Sequence, residues 1–202
     1  MNTKDLIVIV LGLIAALMHL IAFYKYHEQT ILGISHPPKA TFLLWIFIST
    51  ANLFTYLVMG DNWRLIILST VSTTAVIVVF ILFVRKNKLS VLDSWDLVAL
   101  FLGIVALAVW SWYRLNRFGA TFANLILQVS IIFSFIPLFR RFSDPEEKER
   151  GPLPWFIFSG AYVLQLVAVL IEKERYYMLF YPINCLVLHL IVGLLSLKAE
   201  RR

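Results

Sequence analysis

The sequence predicts an all-α polytopic membrane protein whose seven transmembrane helices form two parallel three-helix bundles joined by a linker helix, a 3+1+3 plan. The first reason is seven stretches without Asp, Glu, Lys or Arg, at Leu6–Tyr24, Ala40–Gly60, Leu65–Val84, Leu97–Tyr113, Phe118–Phe139, Gly151–Ile171 and Tyr176–Leu197. A hydrocarbon core about 30 Å thick takes roughly 20 apolar helical residues. No water is present there to satisfy backbone N–H and C=O groups, so each run is expected to be helical. The second is composition: 60% of the residues are hydrophobic and the mean hydropathy is +0.83, where a soluble domain is about half apolar. The third is an internal repeat, which divides the chain into residues 1–88 (spans one to three), 89–116 (the linker, span four) and 117–202 (spans five to seven).

Span one follows Met1-Asn-Thr-Lys4-Asp5, with no small-x-small cleavage site before His19, and is expected to be retained rather than removed as a signal peptide. Span two follows Pro37 and Pro38 and carries Trp45, Ser49, Asn52 and Tyr56 at i, i+4, i+7 and i+11, which stacks them on one helix face. Span three holds a Ser/Thr-rich patch, Ser69, Thr70, Ser72, Thr73 and Thr74. Span four has no counterpart and is expected to invert the chain between the bundles. Span five carries Asn124 and Gln128 on one face, then Ser134 and Pro137. Span six, with Pro152 and Pro154 at its start, repeats the face of span two as Trp155, Ser159 and Tyr162, and adds Gln165. Span seven contains Pro182, Asn184, Cys185 and His189.

The repeat is legible in three pairs of spans. Trp45-Ile-Phe-Ile-Ser49-Thr-Ala51-Asn52 matches Trp155-Phe-Ile-Phe-Ser159-Gly-Ala161-Tyr162 at one fixed offset. Leu20-Ile-Ala-Phe-Tyr-Lys25 matches Phe135-Ile-Pro-Leu-Phe-Arg140, and spans three and seven both close on a basic residue, Arg85 and Lys198. Equivalent helices lie four spans apart and so cross the membrane in the same direction. The two bundles are then related by a pseudo-twofold axis along the membrane normal, with a ligand site expected between them near the bilayer midplane. Lysines and arginines number twelve on the side of the first–second, third–fourth and fifth–sixth loops and the C-terminus, against six on the other side. That bias predicts an N-terminus outside and a C-terminus in the cytoplasm.

Several function classes lose support. The net charge of +6 is accounted for by basic residues flanking spans, so no nucleic-acid partner is expected; the expected partners are membrane lipids and a small-molecule substrate, and association into a homo-oligomer stays open. The single cysteine, Cys185, excludes an intrachain disulfide framework. Cys185, His189 and His19 lack neighbours that would complete a metal site, and no metal or cofactor is expected. Proton coupling ordinarily uses an intramembrane carboxylate; with only two histidines able to titrate, passive movement is favoured. Span seven has no lysine before Lys198, which argues against a retinal pigment. The spans lack the clustered carboxylates, histidines or Ser/Lys dyad of a membrane enzyme, and His36, Asp93 and Asp96 form no recognisable pair, so no enzyme is expected.

What remains is a binding face. Trp45, Ser49 and Asn52 with Trp155, Ser159, Tyr162 and Gln128 combine aromatic surface with hydroxyl and amide groups, which suits a neutral or zwitterionic polar ligand with an apolar side. Pro137 and Pro182 remove backbone donors inside their spans and are candidate hinges. Two rival readings stay open: a ligand-sensing receptor, and a non-transporting accessory or assembly subunit in which the polar face of span two docks another helix. Tryptophans anchoring at the interface and serines permitting close packing would suit the latter.

Gln128-Val-Ser130-Ile-Ile-Phe-Ser-Phe-Ile-Pro137-Leu resembles the fifth-helix proline motif of the SWEET/PQ-loop superfamily of small transporters, and Tyr181-Pro182-Ile-Asn184 resembles the Pro-Asn segment of its seventh helix. Pro38-Lys-Ala-Thr-Phe-Leu-Leu-Trp45 is similar to bacterial seven-span proteins of about this size, which implies a bacterial inner membrane. The resemblance implies the 3+1+3 plan, Asn184 as a substrate-contacting residue, and Ser72 in place of the third-helix asparagine. Leu138 follows Pro137 where that group has glutamine, and Ala22 stands where its first-repeat proline would be. Vitamin-precursor transporters of the PnuC type share a related seven-helix plan. The resemblance therefore implies a facilitator that moves a sugar-like or vitamin-precursor-like solute by alternating access between the bundles.

Overall fold

Asn2 sets the start of the first helix. Its Oδ1 accepts from the Asp5 backbone N–H at 2.8 Å while the Asp5 carboxylate accepts from the Asn2 N–H at 3.4 Å, a reciprocal capping box. Helix α1 then runs Thr3–Ile31, a turn and more beyond the charge-free run. Lys25 and Glu28 pair along its surface at 2.8 Å, and Gly33, with a φ of 69°, turns the chain out of it. The computed structural model describes residues 2–35, 39–60, 62–86, 94–113, 116–142, 151–173 and 176–200. His36, Pro37, Pro38 and Asp93, with the basic residues Lys88, Arg114, Lys148, Arg150, Arg175, Arg201 and Arg202, lie outside them.

Helix α2 spans Lys39–Met59. Asn62 then caps a 3₁₀ turn, Trp63–Ile66, by accepting from the Arg64 N–H at 3.1 Å, and the turn leads directly into α3, Ile67–Lys86. Helix α4 is Ser94–Trp112 and α5 is Arg117–Arg141, the latter capped by Asn116, whose Oδ1 accepts from the Gly119 N–H at 2.8 Å. Helix α6, Leu153–Glu172, begins behind Pro152, with Pro154 in its first turn, where no backbone N–H is needed. Lys173, in the left-handed region at φ 55°, ends it. A second 3₁₀ turn, Tyr176–Leu179, leads into α7, Phe180–Glu200. Among the described residues there is no strand, and seven helices are long and apolar enough to cross a membrane. The fold is that of an all-α, multi-pass membrane protein.

Six helices close a ring. Helix α1 packs on α3, α3 on α2, α2 on α5, α5 on α7, α7 on α6, and α6 back on α1. Helix α4 lies outside, against α5 and α2. It is held there by Ser130 Oγ donating to the Ala99 carbonyl at 2.6 Å, by Trp95 stacked on Phe133, and by Gly103, over which the Phe47 ring sits. The outward faces are apolar and exposed, with Leu13, Leu17, Phe101, Leu170 and Leu194 among the residues that would meet lipid.

One end of the ring carries a charge cluster. Arg64 Nη1 lies 3.1 Å from Asp5 Oδ1 and 3.0 Å from Glu172 Oε1, and Lys4 Nζ lies 2.9 Å from Glu172 Oε2. These contacts tie the start of α1, the α2–α3 connection and the end of α6 together. Below them Tyr56 donates to the Met178 carbonyl at 2.9 Å and Gln165 Nε2 to the Leu65 carbonyl at 2.7 Å.

Candidate functional site

Inside the ring is a cavity of about 70 Å³. Every ring helix lends it side chains, and α4 lends none. Helical spacing explains which. His19, Phe23 and Tyr26 on α1 recur at i, i+4 and i+7; Trp45, Ser49 and Asn52 on α2, and Trp155, Phe158 and Tyr162 on α6, fall on single faces in the same way. Tyr181, Cys185 and His189 on α7 are each one turn apart, and Ser72, Ser134 and Phe135 complete the polar and aromatic lining. Eight of the lining residues are Phe, Tyr or Trp, and none is Asp, Glu, Lys or Arg.

The aromatic side is built around two histidines. The His19 ring centroid lies 4.9 Å from Phe158 and 5.0 Å from Tyr162. His189 lies 5.1 Å and 5.2 Å from the same two rings, 5.2 Å from Phe135 and 5.7 Å from Trp155. His189 Nδ1 is 2.7 Å from the Cys185 carbonyl. A carbonyl only accepts, so in the neutral ring Nδ1 carries the proton and Nε2 is left as an acceptor. Neither ring nitrogen of His19, nor Nε1 of Trp155, has a hydrogen-bond partner among the described residues, although both residues are 1% exposed. Buried polar groups ordinarily find partners.

The polar side is an amide network that joins α2, α5 and α7. Asn52 Oδ1 accepts from Asn124 Nδ2 at 2.9 Å and from Gln128 Nε2 at 3.2 Å, and Asn124 Nδ2 also reaches Thr55 Oγ1 at 3.1 Å. Asn184 Nδ2 donates to the Gln128 backbone carbonyl at 3.0 Å and to its Oε1 at 3.3 Å. Amides in a membrane interior take such interhelical partners because water is absent. Asn52 is the member that also lines the cavity. Nearby, Trp45 Nε1 donates to Ser134 Oγ at 3.1 Å, and that hydroxyl donates in turn to the Ile131 carbonyl at 2.7 Å.

The structure brings six of the sequence-predicted binding residues to the cavity wall: Trp45, Ser49, Asn52, Ser72, Trp155 and Tyr162. Gln128 and Asn184 stand behind Asn52 in the network rather than at the wall. Ser159 turns its hydroxyl back onto the Trp155 carbonyl at 2.9 Å, on its own helix. Pro137 lies inside α5, near its end. Pro182 lies in the first turn of α7 rather than inside it, because the first residues of the apolar run form the 3₁₀ turn. Trp155 faces inward, away from the interface. Phe23, Tyr26, Phe158, Phe135 and Tyr181 also line the cavity, and the sequence did not assign them to the site.

No protein-family model, curated protein or solved structure matches the chain.

Proposed function

We propose that this protein is a passive facilitator of the SWEET/PQ-loop type in the cell membrane, moving a small neutral or zwitterionic polar solute through the space between two three-helix bundles. The observation that carries the reading is the cavity itself, lined by side chains of six helices and without formal charge, and bordered by α1, α3 and α2 on one side and α5, α7 and α6 on the other. The order of packing supports a repeat. Replacing α1, α2 and α3 by α5, α6 and α7 converts the α1–α3–α2 order into α5–α7–α6 and exchanges the α2–α5 seam with the α6–α1 seam. A 3₁₀ turn precedes the third helix of each set, and the sequence-matched pairs Trp45/Trp155 and Asn52/Tyr162 all line the cavity.

Alternating access would then consist of the two bundles rocking about these seams, with Pro137 as a hinge. The basic-residue bias supports an N-terminus outside, which makes the ion-pair cluster the outer closure. The accessory-subunit reading needs the polar face of span two to be free for another helix, and α5 already occupies it through Asn124 and Gln128.

The test is counterflow in proteoliposomes with a panel of labelled small solutes: a monosaccharide, a nucleoside, an amino acid and a betaine. Saturable flux above protein-free liposomes is expected, and it is lost in Asn52→Leu and Asn184→Leu proteins that still insert and remain monodisperse. Background flux for the whole panel, or full flux in both variants, overturns the proposal.

A further inference from the structure

We infer that the membrane-facing cleft between α1 and α3 seats an acyl chain of an anionic phospholipid, whose headgroup meets the basic end of α3. The inference concerns the outside of the helix ring and does not depend on what crosses the central cavity.

The cleft follows from where the two helices touch. A Cβ on Gly12 would lie 3.3 Å from Ile67 Cδ1, so the missing side chain lets α1 and α3 close on each other there. By Leu20, about two turns further along α1, they have parted. A cleft of about 460 Å³ opens between Leu20 and Tyr24 of α1 and Val71, Val78 and Leu82 of α3, within the roughly 300–1,000 Å³ of ligand pockets. From Thr70 to Leu82 it follows α3 for about 18 Å, comparable with one leaflet of a hydrocarbon core about 30 Å thick. Phe23 forms part of its floor. The same residue lines the central cavity and packs edge-on against Phe158 at 4.9 Å, so at this point one ring stands between the two spaces.

The lining suits hydrocarbon. The Thr74 hydroxyl donates to the Thr70 carbonyl at 2.9 Å on its own helix, so it needs no donor site on a ligand. Leu20, Tyr24, Val78 and Leu82 are exposed, and at membrane depth the medium they meet is lipid. Lipid tails are as apolar as the cleft itself, so a tail alone gives little preference for one lipid over another. Discrimination has to come from the headgroup. Arg85 and Lys86 stand three and four positions beyond Leu82, at the end of α3, a rise of about 5–6 Å. Across the cleft, Lys25 Nζ lies 5.7 Å from the Tyr24 ring centroid, and Glu28, the acidic residue of that turn, is already paired with Lys25 at 2.8 Å. The mouth therefore has net positive charge beside an apolar slot, which is complementary to a phosphate carried on acyl chains. A zwitterionic headgroup brings an ammonium that these cations repel.

The experiment is native mass spectrometry of the full-length protein, stripped of lipid in detergent and exposed to equal amounts of dioleoyl phosphatidylglycerol and dioleoyl phosphatidylethanolamine, which share their acyl chains. One phosphatidylglycerol per chain is expected to be retained, with a preference of about 5- to 30-fold. Thr74→Trp fills the cleft from an exposed position and is expected to lower that retention to the level of phosphatidylethanolamine. Leu194→Trp, on the exposed side of α7, is expected to leave it unchanged, and Arg85→Gln with Lys86→Gln to bring the two lipids level. Equal retention of both lipids by the wild type, or a preference that survives Thr74→Trp, marks ordinary lipid at the protein surface and overturns the inference. A dimer that Thr74→Trp dissolves, with no lipid retained, makes the cleft a contact between copies and overturns it as well. A preference that survives the loss of Arg85 and Lys86 overturns the assignment of the headgroup to the end of α3.

Discussion

Asn52 holds the inner wall together through one oxygen atom. Its Oδ1 accepts from both Asn124 and Gln128; Gln128 Nε2 also has Asn124 as an acceptor, so a leucine in place of Asn52 would strand one buried N–H group, on Asn124. Interhelical hydrogen bonds in membranes average about 0.6 kcal/mol and reach about 1.7, while a stranded buried donor costs about 1–3 kcal/mol. Asn52→Leu is therefore expected to lower unfolding stability by about 2 kcal/mol as well as abolish flux. Ser130→Ala is the matched control: it removes the 2.6 Å bond to Ala99 on the side away from the cavity, and is expected to cost about 1 kcal/mol with flux per folded molecule unchanged. Denaturant unfolding in detergent measures both; a Ser130→Ala protein as destabilised as Asn52→Leu would sink the distinction. The one-turn spacing of Trp45, Ser49 and Asn52 was readable in sequence because polar residues on a charge-free span stand out. That of His19, Phe23 and Tyr26 was not, because aromatic residues on such a span look like lipid-facing ones until α6 is seen against them. Gln128 and Asn184 show the opposite limit: an amide that would contact solute and an amide that holds another amide are the same letter.

At the scale of elements, α4 is the separable one. It packs outside the ring and lends nothing to the cavity. A Cβ at Gly103 would lie 2.5 Å from Phe47 Cε1, so that ring must swing aside for any larger residue. Gly103→Val is expected to cost about 1–3 kcal/mol by overpacking and to lower the midpoint of thermal unfolding, while solute flux normalised to folded protein stays at the wild-type level. Lost flux in protein that is fully folded would give α4 a role in the cycle. The seven helices were legible because charge is excluded from each of them at membrane depth, but their ends were less so. Helix α1 continues beyond Tyr24 because Lys25 and Glu28 end the apolar run without ending the helix, and pair along its surface. Pro182 looked interior because the 3₁₀ turn before α7 is itself apolar. In the first turn its missing N–H costs no hydrogen bond, so it needs no kink.

At the scale of the whole molecule, the ring is fastened at one end. Lys4, Asp5, Arg64 and Glu172 come from three separate stretches of chain, so no local sequence pattern predicts their meeting; only packing brings them together. The sequence likewise carried the count of spans, but not which helices are neighbours around the ring. Arg64 bridges Asp5 and Glu172, and the Glu172 side chain is only 7% exposed, so bulk salt screens this cluster less than a surface pair. If the bundles rock open at this end, the contacts between them must break. Within the cluster only the pairs to Glu172, from Arg64 and Lys4, cross between the bundles; at about 0.5–1 kcal/mol each, losing the Arg64 pair amounts to a change in open population of about 2- to 5-fold. The chain supplies its own reporter, since its single cysteine, Cys185, is buried and lines the cavity. In reconstituted protein, Arg64→Gln is expected to speed modification of Cys185 by a membrane-impermeant cationic thiosulfonate several-fold, when the reagent is added on the side of the N-terminus. High salt should move the wild-type rate in the same direction, but less. Cys185→Ser protein, which cannot react, sets the background. A rate that is the same in wild type and Arg64→Gln would mean that the closure lies deeper, at the Tyr56–Met178 and Gln165–Leu65 bonds, and that the charge cluster fastens the helix ends without gating the cavity.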